Sequence, residues 1–120
     1  MKFKLKRYIY FCQDIEKMLN FYRDVFLLKA KSNGIHEMSE WVELGGAGFN
    51  LCLHRSPSRA FEGRNKNKIV FEVEDVAEAR EYLVSKKVNM GKHHFWDVGE
   101  ACDGTDPERN KFQISGPRKK

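Results

Sequence analysis

The sequence predicts an α+β fold in which two β-α-β-β-β modules follow one another within a single domain of 120 residues. The main observation is an internal repeat, because QDIEKMLNFY (Gln13–Tyr22) aligns without a gap with EDVAEAREYL (Glu74–Leu83). In each copy an aspartate, Asp14 or Asp75, stands between a strand-like segment and an amphipathic stripe, and aspartate is a good helix N-cap. The offset of 61 residues between the two aspartates therefore relates two copies of one structural module.

The first module begins with Tyr8–Cys12, which is aromatic and β-branched and is typical of a strand. After Asp14, apolar residues recur at spacings of three and four and predict one face of a helix, formed by Ile15, Met18, Leu19, Tyr22, Val25 and Phe26. Glycines between residues 45 and 48 predict the turn of a hairpin. The strand candidates after the helix are Lys29–Ser32, Trp41–Leu44 and Phe49–His54.

The second module repeats this order. A strand is predicted at Ile69–Val73, and the helix after Asp75 has Val76, Ala79 and Leu83 on one face. Its later strand candidates are Val88–Met90, His93–Val98 and Lys111–Ser115. The polar segment Arg55–Lys68, with Pro57 and Gly63, is typical of a linker, so we place the modules at about residues 2–55 and 66–117.

The composition excludes several classes of protein. Hydrophobic residues make up 41% of the chain, which argues against disorder, and no apolar run approaches the length of a membrane span. The basic start of the chain lacks the pattern of a signal peptide, so we expect a cytoplasmic protein. The net charge is +5, with part of the basic excess at the two termini, and no nucleic-acid-binding motif accompanies it. We therefore expect neither a nucleic-acid partner nor a membrane partner.

The cysteines point to a reducing compartment. The chain has three cysteines, Cys12, Cys52 and Cys102, which is an odd number, and no CxxC motif. This pattern argues against a disulfide framework and against a thiolate zinc site.

The repeated module order, together with three segments, resembles the vicinal oxygen chelate superfamily. The segments are DIEKMLNFYRDVF (Asp14–Phe26), KIVFEVEDV (Lys68–Val76) and DPERNKF (Asp106–Phe112). That superfamily includes glyoxalase I, extradiol dioxygenases, fosfomycin resistance proteins and bleomycin resistance proteins. The third segment is similar to the family's DPxGN-aromatic turn, with Arg109 in place of the glycine. The resemblance implies a curved mixed sheet around a cavity, helices outside it, and a homodimer.

The resemblance also implies where a metal would bind. Metalloenzymes of this family use His, Glu or Gln side chains on the first and last strands of each module, and those positions here are Arg7, Cys52, Lys68 and Gln113. Arginine offers no lone pair, and a lysine ammonium repels a cation. A cysteine thiolate and a neutral amide would leave only a soft and a weak ligand. We therefore expect no metal site and no other cofactor.

Strand alternation extends these positions to a set of cavity residues, because residues two apart on a strand share a face. The side chains expected to face the ligand-binding cavity are Arg7, Phe11, Asn50, Cys52, His54, Lys68, Glu72 and Gln113. The opposite faces then carry core residues, namely Tyr8, Tyr10, Leu51, Leu53, Ile69, Phe71 and Val73.

The charged cavity residues leave two interpretations open. Arg7 and Lys68 could bind an anionic group of a ligand, or Glu72 could pair with both cations and close the cavity. Cys52 is either a small buried hydrophobe or a nucleophile whose pKa is lowered by the two cations.

The aromatic and histidine residues are also ambiguous. His54 is either a general base or a side chain at the exposed end of its strand. Trp41 and Trp96 either line the cavity or pack in the core or in an interface.

The sequence favours a metal-free, small-molecule-binding protein whose ligand is anionic or amphiphilic. The alternative is a lyase or isomerase of the same superfamily, in which Arg7 or Lys68 would stabilise an enolate and Glu72 or His54 would act as base. A third possibility is an interaction module with a closed cavity. The sequence does not decide whether the protein is an enzyme.

Overall fold

The computed structural model describes residues 1–31, 40–46, 48–56 and 65–119. It divides the chain into two compact units, Met1–Ala60 and Phe61–Lys120. Within the described residues, each unit carries one helix and one four-stranded sheet in the order β-α-β-β-β. The predicted α+β class and its two βαβββ modules are therefore confirmed.

Unit 1 contains β1 (Arg7–Cys12), α1 (Ile15–Phe26), β2 (Lys29–Ala30), β3 (Trp41–Gly45) and β4 (Asn50–Arg55). The strand order in its sheet is β1-β4-β3-β2, with β1 parallel to β4 and the other pairs antiparallel. Gly46 and Gly48, in the β3–β4 turn, have φ angles of 98° and 81°, which glycine adopts without steric cost. The predicted hairpin is confirmed.

The helix of unit 1 begins where the sequence places it. The Asp14 carboxylate accepts a hydrogen bond of 3.0 Å from the backbone N–H of Lys17 and so satisfies one of the first-turn donors. The helix packs on β3 and β4 through a buried stripe of Ile15, Met18, Leu19 and Tyr22. Each such side chain contributes about 1.5–3 kcal/mol when fully removed from water.

Unit 2 contains β5 (Ile69–Glu72), α2 (Val76–Ser85), β6 (Asn89–Phe95), β7 (Gly99–Thr105) and β8 (Lys111–Pro117). Its strand order is β5-β8-β7-β6, with β5 parallel to β8, so it repeats the topology of unit 1. Asp75 caps α2 by accepting from the N–H of Glu78 at 3.0 Å. Val76 and Leu83 of α2 are buried with Phe112 and Ile114 of β8.

The strands predicted after α2 were partly wrong. The segments Val88–Met90 and His93–Val98 contribute mainly to one strand, β6, whose register shifts between Met90 and His93. The strand β7 was not predicted, although it lies between β6 and β8. Its sequence GEACDGT is poor in β-branched and aromatic residues, which are the usual signal of a strand. Small residues are needed there, since a Cβ atom at Gly104 would clash with the Phe112 ring.

The turn between β7 and β8 has the geometry that its sequence predicts. Asp106 Oδ1 accepts hydrogen bonds of 2.9 Å from the backbone N–H groups of Glu108 and Asn110. Arg109 has a φ of 65°, in the left-handed region that favours glycine. The arginine therefore occupies a backbone conformation that suits the glycine of the DPxGN pattern.

Other predicted boundaries need small corrections. The candidate Lys29–Ser32 is a strand only at Lys29–Ala30, and Ser32 lies outside the described residues. The linker Arg55–Lys68 is described only at its two ends. The residues expected in the core of β5 and just after it, Ile69, Phe71 and Val73, are half-buried.

The described part of the chain contains no helix that is both long enough and apolar enough to cross a membrane. All three cysteines lie in the described residues, and each is buried and outside any disulfide.

Candidate functional site

In unit 1, β1 and β4 place the predicted site residues on the sheet face that points away from α1. Tyr10 is buried on the helix side, with its ring centroid 6.4 Å from that of Tyr22. By alternation Arg7, Ile9 and Phe11 point to the other face. The parallel register sets Arg7 beside Asn50 and Phe11 beside His54. Tyr10 therefore packs toward the helix as expected, and the cavity on the other face stays a prediction.

The guanidinium of Arg7 is held by a carboxylate that the sequence analysis did not assign. Arg7 Nε lies 3.3 Å from Glu43 Oε1, and Glu43 is on β3 directly opposite Cys52. The side chain of Glu43 is only 12% exposed, so the pair is shielded from water on one side. Arg7 also lies over the Trp41 ring, with Cζ 5.9 Å from the ring centroid.

Two further polar side chains contact the Glu43 carboxylate. Asn50 Nδ2 donates to Glu43 Oε2 at 2.7 Å, and Lys31 Nζ lies 3.9 Å from the same oxygen. The Glu43 carboxylate therefore accepts one amide hydrogen bond and lies beside two cationic side chains. Arg7, Glu43 and Asn50 therefore form a cluster of a cation, a carboxylate and an amide on one face of the sheet.

Cys52 faces this cluster but is fully buried. Burial, reinforced by the negative charge of Glu43, raises the pKa of the Cys52 thiol to about 11, although the Arg7 charge acts in the opposite direction. The net shift is opposite to the one that the nucleophile hypothesis needs, because burial and the Glu43 charge together outweigh the Arg7 charge. Cys52 packs as a small hydrophobe in its protonated form.

His54 lies among aromatic rings and is half-buried, so it is not a side chain projecting from an exposed strand end. Its ring centroid is 5.1 Å from that of Phe11 and 5.4 Å from that of Trp41. Phe11 is 55% exposed, which leaves part of this aromatic group in contact with solvent. Of the two interpretations of Trp41, the structure places it on the face that carries the predicted site residues.

Unit 2 carries an equivalent cluster. Lys68 Nζ lies 2.9 Å from Asp103 Oδ2, and Gln113 Nε2 donates to Asp103 Oδ1 at 3.0 Å. Asp103 is on β7 directly opposite Gln113, as Glu43 is opposite Cys52. In each unit, one carboxylate of the third strand therefore contacts an amide of the last strand and a cation at the start of the first strand or just before it.

The pKa of Asp103 reflects this arrangement. Burial alone would raise the pKa, but hydrogen bonds from Lys68 and Gln113, with the charges of Lys68 and Lys111, outweigh burial. The pKa of Asp103 is consequently held below its ordinary value. The Asp103 carboxylate is therefore charged at neutral pH.

Glu72 does not pair with either cation, so that interpretation was wrong. Arg7 is paired with Glu43 and Lys68 with Asp103. Glu72 is exposed and forms no ion pair with any residue in the described ranges. It lines a groove of about 320 Å³ within unit 2, whose other lining residues are Val70, Trp96, Val98, Gly99, Ser115, Gly116 and Pro117.

The residues at the four positions implied for a metal do not fit a divalent cation. Arg7 and Lys68 bring positive charge, and the Cys52 thiol stays protonated. Gln113 turns its amide nitrogen toward Asp103 and offers at most one neutral oxygen. Among the residues the structure describes, no three His, Cys, Asp or Glu side chains come close enough together to hold a metal ion.

The sequence analysis missed Glu43 and Asp103. Glu43 alternates with the apolar residues Val42 and Leu44, so the hairpin register could have placed it opposite Cys52. Asp103 was harder to find, because the β7–β8 turn is one residue longer than the β3–β4 turn. The 61-residue offset consequently points from Glu43 to Gly104 instead of Asp103.

The comparisons with known proteins agree with the topology. A sequence model of the Glyoxalase/Bleomycin resistance protein/Dioxygenase superfamily matches residues 4–114. No curated protein matches the chain.

Three solved structures illustrate the likeness in fold. The fosfomycin resistance protein FosX of Listeria monocytogenes aligns with 97% of this chain and 94% of its own, at 19% identity and a TM-score of 0.78. A lactoylglutathione lyase of Agrobacterium tumefaciens aligns with 94% of this chain and 92% of its own, at 17% identity and a TM-score of 0.73. An integron cassette protein from the mobile metagenome of V. cholerae covers 97% of both chains, at 21% identity and a TM-score of 0.71. At these identities the likeness concerns the fold alone.

Proposed function

This chain belongs to the Glyoxalase/Bleomycin resistance protein/Dioxygenase superfamily, and we propose that it is a member that binds a small molecule without a metal. The observation that carries the proposal is the occupation of the implied metal positions by two cations, each paired with a carboxylate. Replacing metal ligands with neutralised ion pairs gives a polar surface without Lewis acidity. Binding, rather than metal-assisted chemistry, is the function such a surface supports best.

The ion pairs also bear on the charge of the ligand. Arg7 and Lys68 were expected to attract an anionic group, but each already has a carboxylate within 3.3 Å or less. An anion would have to compete with Glu43 or Asp103 for its cation, and it would be repelled by that carboxylate. We therefore propose that the ligand is amphiphilic, and that these clusters contribute hydrogen bonds more than net charge.

Each unit, taken by itself, offers a surface that the apolar part of a ligand could contact. Phe11, His54 and Trp41 form a partly exposed aromatic group in unit 1, and Val70 and Trp96 are exposed in unit 2. Aromatic and aliphatic side chains with a few fixed polar groups are typical of small-molecule sites. The enolate chemistry of a lyase or isomerase has less support, because the cations that would stabilise an enolate are held by carboxylates.

We propose that the protein acts as a homodimer in the cytoplasm. Exposed apolar side chains that line no proposed ligand site, such as Ile9, offer area that a second copy could cover. Light scattering coupled to size-exclusion chromatography gives the mass in solution, and a mass near 14.1 kDa at micromolar concentration would overturn the dimer.

Elemental analysis tests the metal-free assignment. The protein is purified without chelator, and its metal content is measured before and after incubation with Ni, Mn, Zn and Fe(II) followed by dialysis. A metal-dependent member of the superfamily is treated in parallel as the positive control. We expect well under one metal per chain, whereas a near-stoichiometric metal that survives dialysis would overturn the proposal.

A thermal-shift screen tests the binding function. A library of cationic, anionic and neutral amphiphiles is screened against the protein, and hits are confirmed by calorimetry. A ligand that binds the folded state raises its melting temperature by mass action. If no compound of any charge raises the melting temperature and calorimetry shows no binding, the small-molecule-binding function is wrong.

A further inference from the structure

At one pair of equivalent positions the two units differ greatly in the size of their side chains. In unit 1, Phe11 pairs with His54 across β1 and β4, and the two rings are in contact. The 61-residue offset maps this pair onto Glu72 and Ser115, which also pair with each other across β5 and β8. A bulky aromatic pair is thus replaced by an exposed carboxylate and a small hydroxyl, and the groove of about 320 Å³ lies at this place.

The walls of the groove are mainly apolar. Val70 is 54% exposed, Trp96 45% and Val98 77%, so three large hydrophobic side chains face solvent around one space. Gly99 lies against the Trp96 ring, so close that a Cβ atom there would clash with the indole. The glycine therefore leaves the space that the indole occupies at the wall of the groove.

The lining of the groove is acidic. Glu72 is the only ionisable residue among those that line the groove, and no described residue forms an ion pair with it. Lys68, the cation on the same strand face, is already held by Asp103 at 2.9 Å. A carboxylate next to an exposed indole is complementary to an organic cation, since both the ion pair and the ring face attract positive charge.

We propose that the groove between Glu72 and Trp96 binds an organic ammonium ion that carries an apolar group. The ammonium contacts the Glu72 carboxylate, the face of Trp96 contacts the cation or an adjoining ring, and Val70 and Val98 contact the apolar group. This inference rests on the proposed small-molecule-binding function and gives the ligand its chemical class.

The C-terminal segment holds the indole-bearing hairpin in place. Arg118 donates from Nη1 to the backbone oxygen of Trp96 at 3.0 Å and from its backbone N–H to the oxygen of Val98 at 3.1 Å. The next residue donates its N–H to Glu100, a carboxylate that is 3% exposed and lies 2.8 Å from His93 Nε2. Arg118 is therefore a positioning residue that pre-orders one wall of the groove.

Three probes of similar size and different charge test the inference. They are 2-phenylethylammonium, 2-phenylethanol and 3-phenylpropionate. Each is titrated into the Trp41→Phe variant, whose one remaining tryptophan is Trp96, and binding is measured as the change in its fluorescence. We expect the ammonium to bind roughly tenfold more tightly than the alcohol and the carboxylate to bind least. Glu72→Gln should reduce the affinity for the ammonium to that for the alcohol.

The matched control is Glu81→Gln, which removes the same charge from an exposed position of α2 outside the groove and should leave the ammonium affinity unchanged. Equal affinity for the three probes, no binding of the ammonium, or an unchanged affinity in Glu72→Gln would each overturn the inference. If the thermal-shift screen finds a ligand under those outcomes, the proposed function stands with a different ligand class. If the screen also fails, both proposals fail.

Discussion

The ammonium of Lys68 lies 2.9 Å from the carboxylate of Asp103, on the strand that the sequence analysis missed. The same relation recurs in the other unit between Arg7 and Glu43. In each unit, a cation at the start of the first strand or just before it pairs with a carboxylate on the third of the four strands. This pairing neutralises the two cations at positions where the resemblance implies metal ligands.

The first prediction concerns the Lys68–Asp103 pair and pH. Because the pKa of Asp103 is lowered in the folded state, its contribution to stability is complete above the ordinary carboxyl pKa of about 3.9 and is lost as pH falls through the lower folded value. Asp103→Asn should lower the free energy of unfolding at pH 7 by about 1 kcal/mol or less, since the pair is partly exposed. Urea unfolding at a series of pH values measures this difference.

The control for this prediction is Asp97→Asn, which removes a carboxylate from an exposed turn position. The difference between wild type and Asp103→Asn should shrink toward zero in strong acid, and Asp97→Asn should have little effect at any pH. A stability gap for Asp103→Asn that is constant from neutral pH to strong acid would show that the carboxylate charge is not responsible.

The second prediction concerns Cys52. Burial is the largest cause of its raised pKa of about 11 and the charge of Glu43 is the next, so Glu43→Gln should lower that pKa without bringing it to its ordinary value. The ¹³Cβ shift of labelled cysteine, followed against pH, reports the thiolate directly. Glu40→Gln, at an exposed position just before β3, is the matched control and should leave the titration unchanged. A wild-type Cys52 that titrates near neutral pH would restore the nucleophile hypothesis.

Helices and their caps could be predicted from the sequence because their signals are local. The side chains of Asp14 and Asp75 each accept from an N–H three residues later, and the apolar stripe after Asp14 is the buried face of α1. The strand β7 could not be predicted in this way. Its glycines and small side chains are set by the space beside Phe112 and Trp96, which depends on residues distant in sequence.

The strand face on which a site residue lies could be predicted from the sequence, but the ion-pair partner of each cation could not. Alternation placed Arg7 and Phe11 on one face of β1 correctly. It could not show that Glu43 and Asp103, instead of Glu72, pair with the cations, since that depends on the register of neighbouring strands. Because the β7–β8 turn is one residue longer than the β3–β4 turn, the 61-residue offset does not align Glu43 with Asp103.

The third prediction concerns the β7–β8 turn. Arg109 has a φ of 65°, a conformation that costs a residue with a Cβ atom roughly 1 kcal/mol relative to glycine. Arg109→Gly should therefore be more stable than Arg109→Ala by roughly 0.5–1 kcal/mol in chemical unfolding. Because both variants lack the arginine side chain, the effect of losing it cancels in the difference between their free energies of unfolding. Equal stability of the glycine and alanine variants would mean that the turn relaxes to a conformation that suits any residue.

The fourth prediction concerns the support of Trp96. A Cβ atom at Gly99 would clash with the indole, so Gly99→Ala should displace the ring from its place beside β7. In the Trp41→Phe background, acrylamide should quench the remaining fluorescence more strongly in Gly99→Ala, because a displaced ring is more exposed to solvent. Gly91→Ala is the matched control, since a Cβ atom there meets only the oxygen of Asp103 at 3.4 Å, an ordinary contact distance. Unchanged quenching in Gly99→Ala would mean that the indole does not rest on Gly99, and the proposed role of Gly99 in placing the indole at the groove wall would then be wrong.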